Sequence, residues 1–319
     1  MRVDRGLCDV QTVAGTTRAT WRASELGGLT PCVGDDVELG EGPDDLPVVA
    51  AIGPRRSAIT RIDSAPGSSE HQVLAANVTV AALCEPCHPQ PVLARLERLL
   101  ALAWESGARP AVVLTKADLA ADLESTIADV TQLAIDVPLL PVVATRGDGV
   151  DAVRALVTDG GTLALVGRSG AGKSTLLNAL VGEQVMPTSR LRADGRGRHT
   201  TTHRQMLPIP GGGFVIDTPG VKGVGIATPE GLEQVFADVE ELAAECRFND
   251  CGHTVEPGCA VLEAVAAGDL LQRRLDNYRK LQREAAYQAR RADARLAAQE
   301  KARWRALHRQ RRRTQVRPS

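Results

Sequence analysis

The stretch that most constrains this chain runs from Gly160 to Thr175 and reads GGTLALVGRSGAGKST. Its apolar run, Leu163 to Val166, predicts a buried strand, and Gly167-Arg168-Ser169-Gly170-Ala171-Gly172 predicts a tight turn. Lys173-Ser174-Thr175 then open a segment through Leu176, Leu177, Ala179 and Leu180 that predicts a helix. A chain passing from strand to helix through such a loop aims successive backbone N–H groups and the helix dipole at one point, which suits a phosphate chain. The spacing Gly167-x4-Gly172-Lys173-Ser174 adds an ammonium that reaches the terminal phosphates and a hydroxyl that holds magnesium. The competing reading, a chance glycine turn before a helix, is disfavoured by the two legible flanking elements.

The rest of the chain has to supply the sheet around that loop. With 319 residues and 43% hydrophobic content, the chain can bury a sizeable core in roughly two or three domains. No apolar stretch reaches the roughly 18 residues of a membrane span, and the first residues lack the basic and apolar regions of a signal peptide. The expectation is a cytoplasmic protein with no membrane partner. In a reducing compartment the seven cysteines are expected to bind metal or to be incidental rather than to pair.

Residues 1–62 predict a small β-barrel, with strands at Gly6–Val13, Arg18–Arg22, Val37–Leu39 and Val48–Ile59 between turn clusters. Arg55, Arg56 and Arg61 alternate with apolar residues there, as on a barrel face that touches nucleic acid or on a strand edge protected by charge. Residues 63–71 predict a linker. An apolar run from Gln72 to Leu83, a helix over Pro91–Glu105 and a strand over Pro110–Leu114 then predict a parallel sheet for a domain spanning 72–228. Cys84-Glu85-Pro86-Cys87-His88 imitates a haem attachment site, a reading set aside because such attachment requires export.

Thr115-Lys116-Ala117-Asp118 resembles the guanine-specificity motif of GTPases, in which the aspartate accepts from the two donors that guanine offers and adenine lacks. Thr115 stands where asparagine is commoner. After a helix from Asp122 to Ala134 and a strand from Leu139 to Val143, the loop beginning at Ala144 resembles the one whose backbone N–H contacts the guanine oxygen, with Val143 in place of serine. In an ordinary GTPase these loops follow the phosphate loop, whereas here they precede it, so the domain is expected to be circularly permuted. Past the phosphate loop, Thr200 or Thr201 of the stretch GRGRHTTT meets magnesium and the γ-phosphate in this reading. Asp217 of DTPG binds magnesium through water, and the Gly220 N–H senses the γ-phosphate. No glutamine follows DTPG, so His199 is the candidate for positioning the attacking water, weighed against a solvated loop histidine.

Cys246-x4-Cys251-x-His253-x5-Cys259 offers three thiolates and an imidazole, the donor set of a closed tetrahedral zinc site that folds a small helical domain over 229–290. From residue 271 onward 16 Lys and Arg face 4 Asp and Glu, although the whole chain carries a net charge of only −1. That concentration, continuing through a tail over 291–319, suits the phosphate backbone of RNA, and a merely solvated end is its bland counterpart.

Taken together, the permuted motif order, the N-terminal barrel, GRSGAGKST, GRGRHTTTH, DTPG and CRFNDCGHTVEPGCAV followed by NYRKL resemble the ribosome small-subunit-dependent GTPase A (RsgA-type) family over about residues 1–290. The resemblance implies an α/β fold: an OB-fold barrel, a permuted P-loop GTPase domain and a helical zinc domain. It also implies a monomeric GTP hydrolase that binds GTP or GDP with magnesium, carries one structural zinc on Cys246, Cys251, His253 and Cys259, and assists late maturation of the small ribosomal subunit by contacting its rRNA. His199 falls on the histidine assigned to catalysis in that family. Two other readings stay open: a permuted GTPase of large-subunit assembly, and an RNA-binding placement factor whose nucleotide site is a slow switch.

Overall fold

The computed structural model describes residues 2–4, 6–42, 46–62, 71–186, 205–218 and 230–289. At the N-terminus, β1 (Arg2–Asp4), β2 (Leu7–Thr12), β3 (Gly15–Thr20), β4 (Val37–Gly40) and β5 (Val48–Ile52) form a sheet in the order β1-β2-β3-β5-β4. Cys8, Ala19, Leu26 and Val49 fill its small core. β6 (Ala58–Ile62) does not continue β5 but pairs antiparallel with β7 (His71–Ala76) in a separate ribbon. The single strand expected over Val48–Ile59 is therefore two, broken at Gly53-Pro54, where proline has no N–H to give a ladder.

The run Gln72–Leu83 also divides. β7 ends at Ala76, Asn77 takes a left-handed φ of 51°, and β8 (Val80–Pro86) starts a different sheet. Asn77 holds this corner: its Nδ2 donates to the Gly34 carbonyl at 3.0 Å, and its Oδ1 accepts from the Arg56 N–H at 2.9 Å.

The second sheet also contains β9 (Arg109–Thr115), β10 (Leu139–Val142), β11 (Thr162–Val166), β12 (Met206–Pro208) and β13 (Phe214–Asp217). Its order is β10-β9-β8-β11-β13-β12, parallel except for β12. β11, which feeds the phosphate loop, thus lies in the interior of the sheet between strands from both sides of it in sequence. Both faces are covered, as a parallel sheet requires. Along β8, Ala81 and Leu83 belong to one buried cluster with α1 (Leu93–Glu105) and α2 (Leu123–Leu133). Val80, Ala82 and Cys84 belong to the other, with α3 (Val150–Arg154) and α4 (Lys173–Val181).

The C-terminal part is helical: α5 (Glu230–Val235), α6 (Ala237–Ala244), α7 (Ala260–Ala267) and α8, residues 272–289. These helices have no core of their own. Phe236, Val239, Val261, Leu275, Tyr278 and Leu281 join the cluster that already holds α1 and α2. Gly231 lets α5 approach α1 so closely that a Cβ there would lie 2.3 Å from the Ala101 carbonyl oxygen.

Of the three barrel arginines, Arg55 is half-buried and already paired. Its Nε and Nη2 pair with the two Asp35 carboxylate oxygens at 2.7 and 2.8 Å, and Nη2 also donates to the Thr30 carbonyl. Arg55 therefore fits neither a nucleic-acid face nor a solvated edge, while Arg56 is exposed and the Arg61 side chain lies outside the described residues. Cys84 and Cys87 are buried, with burial as the main cause pushing their thiols up to about 12 and about 11. Among the described residues, no helix is long and apolar enough to cross a membrane.

Candidate nucleotide and metal sites

The phosphate loop leaves the end of β11 at Gly167, where any Cβ would lie 2.4 Å from the Cys84 carbonyl oxygen of the neighbouring strand, so only glycine fits. Arg168, Ser169, Gly170 and Ala171 complete the turn, and Gly172, with φ 84°, stands immediately before α4. Ser174 and Thr175 occupy the first turn of α4, both half-buried. Lys173 is buried, and its ammonium donates to the Gly167 and Arg168 carbonyls at 2.9 and 3.1 Å. It thereby stays inside the loop whose ligand it is expected to meet.

Asp217 ends β13 beside this lysine. It is buried, its Oδ1 has no hydrogen-bond partner among the described residues, and burial pushes its carboxyl up to about 6 against the pull of Lys173. An unsatisfied buried carboxylate oxygen is costly unless something positive arrives, and a hydrated magnesium ion fits that need. The next residue, Thr218, fixes the strand end by donating its hydroxyl to the Leu165 carbonyl at 2.7 Å. Thr200, Thr201, His199 and Gly220 lie outside the described residues.

The predicted base loop is built against the phosphate loop. Lys116 takes a left-handed φ of 54°, which turns the chain out of β9 into a short 3-10 turn over Ala117–Leu119, with Ala117 buried and Asp118 exposed. Thr115 donates its buried hydroxyl to the Ala171 carbonyl at 2.6 Å, and Lys116 Nζ donates to the Gly170 carbonyl at 3.1 Å. Thr115, which stands where asparagine is commoner in that motif, is in the fold a brace between the two loops. Nothing local could reveal this, because the acceptor is 56 residues away. At the second base loop the Val143 carbonyl accepts the N–H groups of Arg146 and Gly147 at 2.9 and 3.0 Å, and the Val143 N–H bonds to the Asp148 carbonyl. The turn that presents Ala144 is therefore held by these backbone bonds and by the Arg146 Nε donating to Asp148 at 2.9 Å, without the serine hydroxyl that Val143 replaces.

The Cys/His motif also converges. Its four ligand atoms lie within 4.8 Å of one another: Cys246 and Cys259 sulfurs 3.8 Å apart, and His253 Nδ1 3.6 and 3.4 Å from them. Tetrahedral zinc–thiolate bonds of about 2.3 Å set sulfur–sulfur edges of about 3.8 Å, the spacing of Cys246 and Cys259, so the donor set is compatible with a zinc ion. The loop carrying Cys251 and His253 is tied by Glu256, whose carboxylate accepts the N–H groups of Gly252, Thr254 and Val255 at 3.1, 2.6 and 2.9 Å. Backbone N–H groups, including its own, hold that carboxyl at about 2.

The sequence model of the family described as RsgA GTPase matches residues 52–227. A small ribosomal subunit biogenesis GTPase RsgA of Streptomyces avermitilis is 51% identical over 316 residues, covering 95% of this chain and 83% of the relative. An RsgA of Lactiplantibacillus plantarum is 44% identical over 259 residues, covering 81% and 73%. Among solved structures, YjeQ from Thermotoga maritima superposes with a TM-score of 0.63 at 27% identity, covering 88% of this chain and 94% of that one. YloQ, a circularly permuted GTPase, gives 0.62 at 25% identity, covering 88% and 91%. With its phosphate loop on a central strand, its base loops upstream and its Cys3His cluster downstream, this chain belongs to the RsgA GTPase family and is a circularly permuted GTP hydrolase.

Proposed function

We propose that this chain binds the small ribosomal subunit during its maturation and uses GTP hydrolysis, stimulated by that subunit, to time its own release. The observation that carries this reading is the relationship to the Streptomyces avermitilis subunit-biogenesis GTPase, which extends over 95% of the chain and so includes the barrel and the helical end as well as the GTPase sheet. The same extent favours it over a large-subunit factor.

In the reaction, water attacks the γ-phosphorus, the bond to the β–γ bridging oxygen breaks, and GDP and phosphate leave. Lys173 and the N–H groups of the loop from Gly167 to Gly172 bind the phosphates and balance their charge. Asp118 accepts from the guanine donors and the Ala144 N–H meets the guanine oxygen, while Thr115 and Lys116 keep base and phosphate loops at a fixed distance. Ser174, Thr200 or Thr201, and Asp217 would hold magnesium, which when bound would supply positive charge to the phosphate oxygens. His199 orients the attacking water, and the Gly220 N–H reports the γ-phosphate. Cys246, Cys251, His253 and Cys259 hold one structural zinc, supported by their spacing. The basic stretch from residue 271 contacts rRNA phosphates, and the protein works as a cytoplasmic monomer.

Turnover of the purified chain, alone and with equimolar small or large subunits, tests the whole assignment, with ATP as control. Strong stimulation by the small subunit alone is expected. No stimulation by either would transfer the site to a slow nucleotide switch in a placement factor, and stimulation by the large subunit alone would reassign the partner.

A further inference from the structure

We propose that Arg154 is a positioning residue for guanine recognition: its guanidinium fixes the helix that carries the Ala144 loop to the far end of the helix that carries the phosphate loop. This rests on the reading of the Ala144 N–H as the contact to the guanine oxygen.

The two loops leave strands that are not neighbours. β10 and β11 are separated by β9 and β8, three strand spacings or about 14 Å. Thr115 and Lys116 tie the loop after β9 to the phosphate loop, but the loop after β10 pairs its own charged side chains with each other, Arg146 with Asp148 at 2.9 Å. What holds that loop is the helix it enters. The Gly147 N–H donates to the Val143 carbonyl at 3.0 Å, the Val150 N–H to the Gly147 carbonyl at 3.2 Å and the Val153 N–H to the Gly149 carbonyl at 3.4 Å, so loop and α3 are one hydrogen-bonded unit. Gly149 seats that unit on β10, where a Cβ would lie 2.3 Å from the Pro141 carbonyl oxygen.

Arg154, the last residue of α3, reaches across to α4. Its Nε donates to the Leu180 carbonyl at 3.2 Å and its Nη2 to the Ala179 carbonyl at 2.5 Å. Both carbonyls lie in the last turn of α4, where such groups have no partner within the helix and carry the negative end of its dipole. Asp151, one turn back, accepts from Nη1 at 2.7 Å and so aims the other two nitrogens at α4. The Arg154 side chain is only 30% exposed, and Val150 and Val153 share one buried cluster with Leu176, Leu177 and Leu180. Apolar contact is not directional, whereas a planar fork on two carbonyls is. Arg154 thereby sets how far α3 can slide or turn on α4, and with it where Ala144 stands relative to the phosphate loop.

The test is equilibrium affinity of the full chain, with magnesium, for GDP and for 6-thio-GDP, in which sulfur replaces the guanine oxygen and accepts a hydrogen bond poorly. The parent is expected to prefer GDP by about 2–10-fold, the worth of one hydrogen bond. Arg154→Met is expected to lose that preference, binding GDP about 2–10-fold more weakly while 6-thio-GDP stays within about twofold. A purely structural arginine predicts that both nucleotides weaken by one factor and the preference stays. Unchanged GDP affinity, or an unchanged preference, would overturn the proposal. Should Arg154→Met not fold, Arg154→Lys decides: it keeps the charge at the end of α4 but not the planar pair of donors, so its preference is expected to fall below the parent's, and a parent-like preference would overturn the proposal as well. A parent that binds GDP and 6-thio-GDP alike would refute the Ala144 contact itself, a result distinct from all of these.

Discussion

The Arg274 guanidinium of α8 donates to the Glu97 carboxylate of α1 at 3.0 Å across 177 residues of chain, and Glu97 is fully buried. Arg274 also grips Asp238 of α6 at 2.6 and 2.7 Å and the Val235 carbonyl of α5 at 2.7 Å, while Asn277 donates to the second Glu97 oxygen at 2.5 Å. One guanidinium therefore joins the GTPase sheet's first helix to three helices of the C-terminal part. Arg274→Ala would leave buried Glu97 with Asn277 and only the longer Arg273 pair at 3.4 Å, and a loss of up to about 3–5 kcal/mol in unfolding free energy is expected from urea titration. A loss below about 1 kcal/mol would show that the arginine is incidental to the joint.

Thr115→Val removes the hydroxyl that braces the phosphate loop and leaves the Ala171 carbonyl without that donor. We expect a stability loss of about 1–3 kcal/mol and weaker binding of GTP and GDP alike, with the preference for guanine unchanged. Equilibrium binding of fluorescent guanine and xanthine nucleotides checks it; a shift in base preference would return Thr115 to the base.

Asp118→Asn, by contrast, should exchange guanine for xanthine preference, because an amide presents a donor where guanine needs an acceptor. The same binding assay decides, and unchanged GTP affinity would remove Asp118 from the site.

Burial raises the Asp217 carboxyl from 3.8 to about 6, so the nucleotide-free fold prefers it protonated. The folded state therefore loses stability as pH rises from about 4 to about 6, and the penalty is full above that. Asp217→Asn should stabilise the nucleotide-free protein by up to about 3 kcal/mol at pH 7.5, with the difference vanishing near pH 4, while magnesium-dependent hydrolysis is lost. Thermal unfolding across that range is the measurement, and a pH-independent difference would contradict the burial account.

Zinc analysis of the purified chain should give about one metal per chain, lost in Cys251→Ala together with part of the helical signal near α7. A metal-free protein with full helicity would refute a structural zinc.

Deleting residues after 290 should weaken subunit binding and flatten its salt dependence, because fewer phosphate counterions are released. Identical salt curves for the two chains would show the tail to be idle.

What the sequence by itself determined is what local spacing can encode. Gly167-x4-Gly172-Lys173-Ser174 dictates a loop because glycine permits its backbone and the helix start directs its N–H groups. Cys246, Cys251, His253 and Cys259 sit between the end of α6 and the start of α7, close together in sequence, which is why their spacing could announce a metal site. The motif order announced the permutation, although only the sheet shows β11 placed between β8 and β13. Tertiary structure alone decided the partners of polar groups, since burial raises the cost of an unpaired one and the partner lies wherever the fold brings it. Arg55 reads as a surface cation until Asp35, 20 residues upstream, takes two of its nitrogens. Thr115's partner, the Ala171 carbonyl, and Glu97's partner, Arg274, lie 56 and 177 residues away along the chain, and only the fold brings them opposite each other. The helices from Glu230 onward look separable in sequence because their apolar pattern is self-consistent, yet their apolar faces complete the core over α1, where most of their burial is found.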